Sequence, residues 1–440
     1  MLERLDVRGL GDDLRGRLPR PLAATEPPVA EVQAILARVR EGGDAAVREL
    51  TQRFDGVAID ELVVPAAELD AALASLDADL RVALEAARAN ICDYHQAQLG
   101  PEVDHKSDGI IVSELRRPVD RVGLYVPSAL APLISTVLMT AVPAKVAGVT
   151  GVALCSPPGP DGKVAPGILA AAALAGVDEV YRIGGVQAIA AMAYGTDTIP
   201  AVDVIVGPGS NRVAQAKREV AATGVVGVPS AFAGPSEVVV VADSTAPVEW
   251  AAVDVVVQAE HGPDGLAWLV TWDEAVAGAV SASVAELVAA SPRRAHIEST
   301  LAQGGYVVLV DGPEQAMAVA NLIAPEHLEL MVADAEGLLP LVRNAGAVFC
   351  GPWAPASVGD YYAGPSHVLP TFGSARFSSA LRVDDFLKHI HVITLDREAL
   401  MGAAPHVAAI AEAEGLAAHA QSVRLRMDAG GERGPLTGRG

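Results

Sequence analysis

The chain has 440 residues, more than one hydrophobic core usually organises, so the sequence predicts two or more domains. Hydrophobic residues make up 51% of the chain and aromatic residues only 4%, a composition typical of buried parallel strands with covering helices. A formal net charge of −22 at pH 7 disfavours nucleic acid as a partner and favours a small-molecule substrate or a protein.

Neither a signal peptide nor a membrane span is expected. The opening MLERLDVRGLGDDLRGRL mixes charged and apolar residues and lacks an apolar run. The most apolar stretch, residues 133–155, contains Pro143 and Lys145 and therefore predicts a buried helix followed by a strand. The three cysteines form no CxxC pair, which favours a reducing, cytoplasmic compartment over a disulfide framework.

The first elements in chain order are helical. Residues 29–54 and 77–99 place apolar residues three and four apart, which predicts a helical N-terminal region. Residues 109–127 predict a strand, a turn and a second strand. From there to about residue 222, short Val- and Ile-rich runs end in Gly or Pro and alternate with helical stretches, which is typical of βαβ units in a parallel sheet.

A second series of strands and helices extends from SEVVVVAD to AVFCG, over residues 236–351. After about residue 380 the pattern is helical again, and the final DAGGERGPLTGRG predicts a disordered tail. The sequence therefore predicts an α/β protein: two facing, open, parallel-sheet (Rossmann-like) domains, with a helical N-terminal region and a helical C-terminal segment. Ligands in such sheets bind beyond the carboxyl ends of the strands, so the loops after the strands are the expected sites.

Two polar side chains lie near a predicted helix end in VVVQAEHGPDG. Gln258 and His261 are three residues apart and share a helix face if the helix continues until Gly262 ends it. An amide oxygen and an imidazole are suitable zinc ligands but too few for a site. The alternative interpretation is a capped, partly exposed helix end.

Further candidates lie in two C-terminal motifs. Asp360 and His367 fall in SVGDYYAGPSHVLPT, a predicted Gly- and Pro-rich loop that either places side chains before a sheet or only turns the chain. Glu414 and His419 would diverge on a continuous helix, but Gly415 predicts a break that lets both point one way. Taken alone, His419 is interpreted as a surface residue.

Glu326 and His327 follow Pro325 in IAPEHLEL. Because Pro favours the first position of a helix, both are predicted in a first helical turn, where the helix dipole would lower the pKa of His327. The neutral imidazole that results is what a general base requires at pH 7. The alternative is an acidic first turn that only stabilises its helix.

These motifs together resemble the histidinol dehydrogenase family. The resemblance rests on GPSEVVVVAD, QAEHGPDG, APEHLEL, GDYYAGPSHVLPT and EGLAAHA, covers roughly residues 20–425, and extends to RVGLYVP, GGVQAIAA and AKREV. It implies zinc-dependent, NAD-linked oxidation of L-histidinol to L-histidine through L-histidinal, in histidine biosynthesis. It also implies a homodimer in which the C-terminal segment completes the partner's site.

The resemblance further implies residue roles. The catalytic pair matches Glu326 and His327, with His327 as general base and Glu326 activating the water that hydrates the aldehyde. The zinc ligands match Gln258, His261, Asp360 and His419. The substrate contacts match Ser236, Gln258, His261, His327, Asp360, His367, Glu414 and His419. The coenzyme contacts match Tyr125, Gln187, Ser210 and Asn211.

The same resemblance assigns the domains. Residues 1–20 form an N-terminal arm, and residues 21–124 with 236–380 form a first α/β domain that holds the metal and catalytic residues. Residues 125–235 form an inserted second α/β domain on the coenzyme side. Residues 381–440 form the helical C-terminal segment with its tail.

Three segments depart from the family pattern. Ser128 and Ala129 stand where the family carries Gly-Gly, Ser210 stands for an Asn, and Ser230 for an Asp. Two of these changes, at Ser128–Ala129 and at Ser210, fall in segments that approach NAD in the family. Because glycines let a coenzyme approach the backbone closely, they predict an altered affinity for NAD.

Three alternatives remain open at this point. A paralogue would oxidise another small amino or hydroxy alcohol, although Ser236, His367 and Glu414 favour histidinol. Cys155, at a predicted strand end, would serve as an aldehyde-oxidising nucleophile only if its thiolate were stabilised, and no basic residue adjoins it in the sequence. A non-catalytic, zinc-stabilised assembly protein would have no need of a base and a water activator.

Overall fold

The structure, a computed structural model, describes residues 2–11, 13–19, 28–101, 103–128, 132–230, 234, 236–260 and 265–428. It divides into two compact units. The first is formed by Met1–Leu99 with Val119–Phe386, and the second by Gly100–Pro118 with Leu387–Gly440.

The strands of the described residues are β1 (Glu3–Asp6), β2 (Asp104–Ser107), β3 (Ile110–Pro118), β4 (Arg121–Tyr125), β5 (Gly151–Ser156), β6 (Glu179–Arg182), β7 (Val204–Val206), β8 (Glu237–Ala242), β9 (Leu266–Thr271), β10 (Gly305–Leu309), β11 (His327–Met331), β12 (Ala347–Cys350) and β13 (Leu387–Leu395).

The α-helices of the described residues are α1 (Val29–Asp55), α2 (Ala66–Ala74), α3 (Ala78–Gln98), α4 (Ile134–Ala147), α5 (Pro166–Ala175), α6 (Gly185–Tyr194), α7 (Asn211–Ala222), α8 (Val248–Ala259), α9 (Glu274–Ala290), α10 (Arg294–Gly304), α11 (Pro313–Ile323), α12 (Ala335–Leu338), α13 (Ala356–Tyr361), α14 (Arg397–Ala413) and α15 (Ala417–Asp428). Short 3-10 helices cover Leu339–Leu341, Ser374–Arg376 and Val383–Phe386. Within the part of the chain that is described, no helix is long and apolar enough to cross a lipid bilayer.

A six-stranded parallel sheet organises one part of the first unit. Its strand order is β1-β10-β9-β8-β11-β12, and every neighbouring pair is parallel. The central strand β8 is buried along its whole length because helices cover both faces of the sheet. Val238 and Val240 pack with α8 and α9, whereas Val239 and Val241 pack with α11. The predicted parallel α/β class is thereby confirmed.

A four-stranded parallel sheet with the order β6-β5-β4-β7 organises the rest of the first unit. Helix α1 packs on α6 and α7, α2 packs on α5, and α3 packs on α4 and α5. Residues 21–124 are predicted to share a domain with residues 236–380. In the structure, the apolar stripe of α1 instead joins the core of the four-stranded sheet, where Val32 and Ile35 lie in one cluster with Ile189.

The loop after β7 is fixed by a close backbone approach and a buried lysine. Gly207 has φ of +111°, and a Cβ there would lie 2.1 Å from the carbonyl oxygen of Tyr125, so only glycine fits. The Nζ of Lys217 donates to the carbonyl oxygens of Gly207 and Ser230, both at 2.7 Å. Burial lowers the pKa of Lys217 to about 7. Strand β4 and α7 together therefore determine the position of this loop.

The second unit contains an antiparallel sheet with the order β13-β3-β2. Strand β13 pairs with β3 from Leu387 opposite Pro118 to Leu395 opposite Ile110. The prediction that the chain after residue 380 is only helical is therefore wrong. The run LKHIHVITL is rich in β-branched residues, which pack well on a pleated surface and favour a strand.

Two helices follow this sheet, and the predicted break between them is confirmed. Helix α14 ends at Ala413, Gly415 has φ of +74°, and α15 begins at Ala417. Of the predicted tail, residues 429–440 lie outside the described residues.

The second unit leaves much apolar surface exposed. Its buried cluster consists of Ala408, Ala411 and Ala420, with Val423 packed against them. Its exposed large apolar side chains include Ile390, Val392, Ile393, Leu395, Val407, Ile410, Leu416 and Leu425. Exposed apolar surface of this extent is typical of a subunit interface.

Candidate active site

Polar side chains gather at the amino edge of the six-stranded sheet. Glu237 is the first residue of β8 and His327 the first residue of β11, and these strands are parallel neighbours. Gln258 reaches the same edge from the last turn of α8, because a crossover helix runs antiparallel to the strands that it connects. The expectation that the catalytic residues lie beyond the carboxyl ends of the strands is therefore wrong for this sheet.

His327 lies in a strand and not in a first helical turn as predicted. Pro325 begins no helix, since Ala324, with φ of +54°, terminates α11 just before it. His327 is 2% exposed. Its Nδ1–H donates to the carbonyl oxygen of Glu237 at 3.0 Å, and its Nε2 lies 3.1 Å from Oδ1 of Asp360.

These neighbours reverse the pKa shift that the sequence predicted for His327. Burial lowers its pKa, but the charges and hydrogen bonds of Glu326 and Asp360 outweigh burial and hold the pKa well above the ordinary 6.5. No helix dipole lowers the pKa of His327, because no helix begins at this residue. The imidazolium form is stabilised by two carboxylates instead.

Glu326 and Glu237 form a reciprocal pair. The backbone N–H of Glu237 donates to Oε2 of Glu326 at 2.9 Å, and the backbone N–H of Glu326 donates to Oε2 of Glu237 at 3.3 Å. The backbone N–H of Phe372 donates to Oε1 of Glu237 at 2.9 Å. Burial and then the charge of Glu326 raise the pKa of Glu237 to about 8. The two carboxyl groups therefore do not both carry charge at neutral pH.

Asp360 lies on the short helix α13 and not in the predicted loop. Gly359 lets this helix approach β12, because a Cβ there would be 2.6 Å from the ring of Phe349. That ring stacks on His327 with 5.8 Å between the ring centroids. Nε2 of Gln258 donates to Oδ2 of Asp360 at 3.1 Å, so Asp360 bridges the histidine and the glutamine.

His367 joins this cluster from a loop, as predicted. Its Nδ1–H donates to the carbonyl oxygen of Asp360 at 2.8 Å, and its Nε2 lies 3.0 Å from the hydroxyl of Thr136 on α4. Burial lowers the pKa of His367. Ser236 directly precedes β8 at the same edge, and its carbonyl oxygen accepts the N–H of Leu266.

The side chains of this cluster include oxygen atoms that suit a zinc ion. Among the described residues, no group of three or more His, Cys, Asp and Glu side chains is arranged to hold a metal. Two of the four predicted ligands do meet, Gln258 and Asp360. Oε1 of Gln258 is buried and has no hydrogen-bond partner in the described structure, whereas buried acceptors ordinarily have one. An unpaired amide oxygen beside a carboxylate fits a zinc ion.

The other predicted ligands are not brought to this cluster within the first unit. His261 lies outside the described residues, and α8 ends at Ala259, before the helix end predicted at Gly262. Glu414 and His419 belong to the second unit, where both are exposed around the junction of α14 and α15.

The predicted coenzyme residues follow the carboxyl ends of strands in the four-stranded sheet. Tyr125 ends β4, and its hydroxyl accepts the N–H of Gly185 at 3.1 Å. Gln187 lies in α6 after β6, and Ser210 and Asn211 lie at the start of α7 after β7. This is the edge at which the sequence analysis expected ligands to bind.

Cys155 does not provide a nucleophile. It lies in β5 and is fully buried, and burial raises the pKa of its thiol. Because the thiolate is the reactive form, this environment disfavours the alternative of an aldehyde-oxidising cysteine.

Sequence reasoning missed three residues of the site, Glu237, Glu329 and Thr136. Glu237 directly precedes an apolar run and Glu329 lies between two leucines, and this is a usable signal because a buried acid requires partners. Thr136 carries no such signal, since only folding brings its helix to His367.

Known proteins of one family are similar to this chain over nearly its whole length. A family model described as histidinol dehydrogenase matches residues 19–427. Histidinol dehydrogenase from Parasynechococcus marenigrum is 49% identical over 399 residues, covering 90% of this chain and 90% of that protein. Histidinol dehydrogenase from Moorella thermoacetica is 46% identical over 419 residues, covering 94% and 98%. The crystal structure of histidinol dehydrogenase from Elizabethkingia anophelis matches with a TM-score of 0.93 at 33% identity, covering 98% of this chain and 99% of that one.

Glu237→Gln should change how the free energy of unfolding depends on pH. The raised pKa means that the stability contributed by the protonated Glu237 is complete below about 4.5 and is lost as the pH rises through about 8. The glutamine cannot ionise. As the pH rises from 5 to 8, the free energy of unfolding of the variant should therefore increase relative to that of the wild type. Urea unfolding at four pH values measures this difference. The exposed Glu249→Gln is the matched control, and parallel curves for Glu237→Gln and the wild type would contradict the buried-proton interpretation.

Proposed function

This chain belongs to the histidinol dehydrogenase family and is therefore an NAD-dependent oxidoreductase that converts histidinol to histidine, and we propose that it does so through L-histidinal at one zinc-containing site. The observation that carries the proposal is the meeting of Glu326, His327, Asp360 and Gln258 at one sheet edge. A base, a carboxylate for water activation and oxygen ligands for a metal are thus assembled in one place.

We assign the zinc ion to Gln258, His261, Asp360 and His419. The unpaired Oε1 of Gln258 and its neighbour Asp360 support this assignment within the first unit. When bound, zinc would supply a Lewis acid that holds the imidazole and the amine of the substrate and so orients the carbinol carbon.

His327 is the proposed general base. The carbonyl oxygen of Glu237 occupies its Nδ1–H, so Nε2 is the nitrogen left to exchange a proton near Asp360. Glu326 and Asp360 stabilise the imidazolium that forms when the hydroxyl proton is taken, and the raised pKa means that the neutral, proton-accepting form of His327 increases as the pH rises.

Glu326 is the proposed activator of the water that hydrates the aldehyde. Its Oε2 accepts one backbone N–H and lies 3.5 Å from Nδ1 of His327, so the carboxylate is held beside the base. Ser236, His367 and Glu414 are the remaining substrate contacts that we propose. Their presence favours histidinol over another small alcohol as the substrate.

We place NAD, which accepts the hydride, at the carboxyl edge of the four-stranded sheet, beside Tyr125, Gln187, Ser210 and Asn211. Oγ of Ser128 donates to a backbone carbonyl at 3.2 Å and so gives this loop a tether that glycine could not provide. Ala129 lies outside the described residues. The departures at these positions favour a coenzyme affinity that differs from that of the relatives.

A homodimer is the proposed assembly, with Glu414 and His419 acting in the partner's site. The exposed apolar residues of the second unit support a covering partner. In the first unit, α8 and α13 carry Gln258 and Asp360, and they also expose apolar side chains. Trp353 is 83% exposed and contacts Trp250 edge-on, with 4.9 Å between the ring centroids. A second copy of the chain would bury both surfaces.

Chelation should abolish NAD reduction with L-histidinol, and added Zn²⁺ should restore it, because a mixed Gln/His/Asp/His site is open enough to exchange its metal. Absorbance of NADH at steady state measures this, with metal content determined on the same samples. Full activity in metal-free protein would remove zinc from the proposal, and lack of turnover of histidinol by the metal-loaded protein would remove the substrate.

His327→Asn and Glu326→Gln should separate the two half-reactions. Loss of the base should slow oxidation of both the alcohol and the aldehyde by ~10² to 10⁴-fold. Glu326→Gln keeps the shape but removes the carboxylate, so oxidation of supplied L-histidinal should suffer more than oxidation of L-histidinol to the aldehyde in single-turnover experiments. Equal losses in both half-reactions would instead assign Glu326 to orienting His327.

Co-refolding His419→Ala protein with His327→Ala protein should restore activity that neither has alone. In a mixed dimer one site receives both wild-type residues, so random exchange should give about a quarter of the wild-type activity. Turnover and sedimentation are measured on the same mixture. An active monomer, or mixed dimers without activity, would refute action in trans.

A further inference from the structure

Two buried carboxyl groups lie behind the candidate active site, outside the roles assigned so far. Glu329 is two residues after His327 on β11 and so shares its face of the strand. Asp254 is one helical turn before Gln258 on α8. Their exposed fractions are 2% and 7%. A pair of acids so deeply buried is costly unless each oxygen finds a partner.

The contacts of Glu329 connect three elements. Its Oε1 accepts the backbone N–H of Ala356, the first residue of α13, at 3.0 Å. Its side chain also makes a hydrogen bond with Asp254 on α8. Oε2 receives no N–H or O–H donor within the described residues, so the bond between the two acids requires a proton on one of them.

The two acids share one proton, because burial raises the pKa of both. Burial, and then the charge of Asp254, raise the pKa of Glu329 to about 9. Burial also raises the pKa of Asp254, but the hydrogen bond from Glu329 opposes that rise. At neutral pH the shared proton therefore joins Glu329 to Asp254, while Oε1 of Glu329 accepts the backbone N–H of Ala356 at the start of α13.

Helix α13 is held at its other end by Asp360, which bonds to His327, Gln258 and His367. It is six residues long, and only Ala356 is buried. A helix of this length is not stable by itself, so its orientation depends on tertiary contacts at its ends. The hydrogen bond from Ala356 to Glu329 fixes the beginning of the helix, and Asp360 lies one turn further on.

We propose that Glu329 and Asp254 act as positioning residues that join α8 to α13 through β11, and so hold Gln258 and Asp360 at the spacing a metal requires. This inference rests on the proposed function, because it treats Gln258 and Asp360 as zinc ligands. According to this proposal, Glu329 and Asp254 increase the zinc affinity although neither is a zinc ligand.

Two substitutions of Glu329 test this directly. Glu329→Gln keeps an acceptor for Ala356 and a donor for Asp254, whereas Glu329→Leu removes both at similar volume. The zinc affinity of apo-protein is measured by dialysis against a competing chelator, and Co²⁺ absorption bands report the ligand geometry. Glu329→Leu should bind zinc ~10- to 100-fold more weakly with altered cobalt bands, and Glu329→Gln should restore wild-type behaviour.

Asp254→Ala is the second variant, needed if Glu329→Leu does not fold. It breaks only the connection to α8 and should also weaken zinc binding. The matched control is Asp243→Ala, which removes another buried acid at the opposite edge of the same sheet, where it accepts the N–H groups of Thr245 and Ala333. This variant should lower the melting temperature without changing zinc affinity.

The outcomes distinguish this inference from the proposed function. Wild-type zinc affinity and cobalt bands in Glu329→Leu or in Asp254→Ala would overturn the positioning role while leaving the zinc site intact. Equal losses in the Gln and Leu variants would also overturn it, because glutamine keeps both hydrogen bonds. Failure of the wild-type protein to bind zinc would overturn the proposed zinc site itself, and the positioning role with it.

Discussion

Burial of acidic groups at the amino edge of the six-stranded sheet is the constraint on which the candidate site depends. Glu237, Glu326 and Glu329 are each less than a tenth exposed, and Asp360 lies against them through His327. Burying such groups raises the free energy of the folded state more than their mutual contacts lower it, unless their charge is shared, neutralised or hydrogen-bonded. All three occur in this structure. The imidazole of His327 lies between two carboxylates, and backbone N–H groups donate to Glu237. Raised pKa values keep protons on the most buried acids. Buried ionic groups are often no more stabilising than apolar residues of similar volume, so the chemistry of the site explains this cluster better than stability does.

The topology explains why this cluster forms where it does. In a parallel sheet the crossover helix returns the chain to the amino edge, so the end of α8 delivers Gln258 beside the first residues of β8 and β11. The four-stranded sheet offers its opposite, carboxyl edge, where Tyr125 and the start of α7 lie. The contact between Thr136 and His367 joins the two halves of the first unit. A reaction that needs acid–base groups and a coenzyme can thus draw each from a different sheet.

The sequence was sufficient for the α/β class, the two series of parallel strands and the break at Gly415, because each depends on local periodicity or on a single residue. It was not sufficient where contacts between distant parts of the chain determine the local structure. Pro325 is a good first residue for a helix, yet pairing of His327–Met331 with β8 and β12 makes that segment a strand. The pKa of His327 then follows from Glu326 and Asp360, which no local rule brings together. Likewise, the β-branched run at residues 387–395 became a strand through its long-range partner β3.

The second unit shows how assembly and chemistry are connected. A strand that pairs along one edge with β3 but exposes Ile390 and Ile393 gains little from burial within its own chain. Its two helices bury little more than alanines against each other. In the proposed homodimer, such a unit would gain stability when a second copy covers it, and the free energy of that association would be coupled to the residues on the covered surface. Because the unit also carries Glu414 and His419, any subunit contact that orders it orders those two side chains as well. Dissociation would then remove the proposed ligand His419 and the proposed substrate contact Glu414 without disturbing the buried acids of the first unit. Loss of activity on dilution would therefore not require unfolding of the sheet that holds His327.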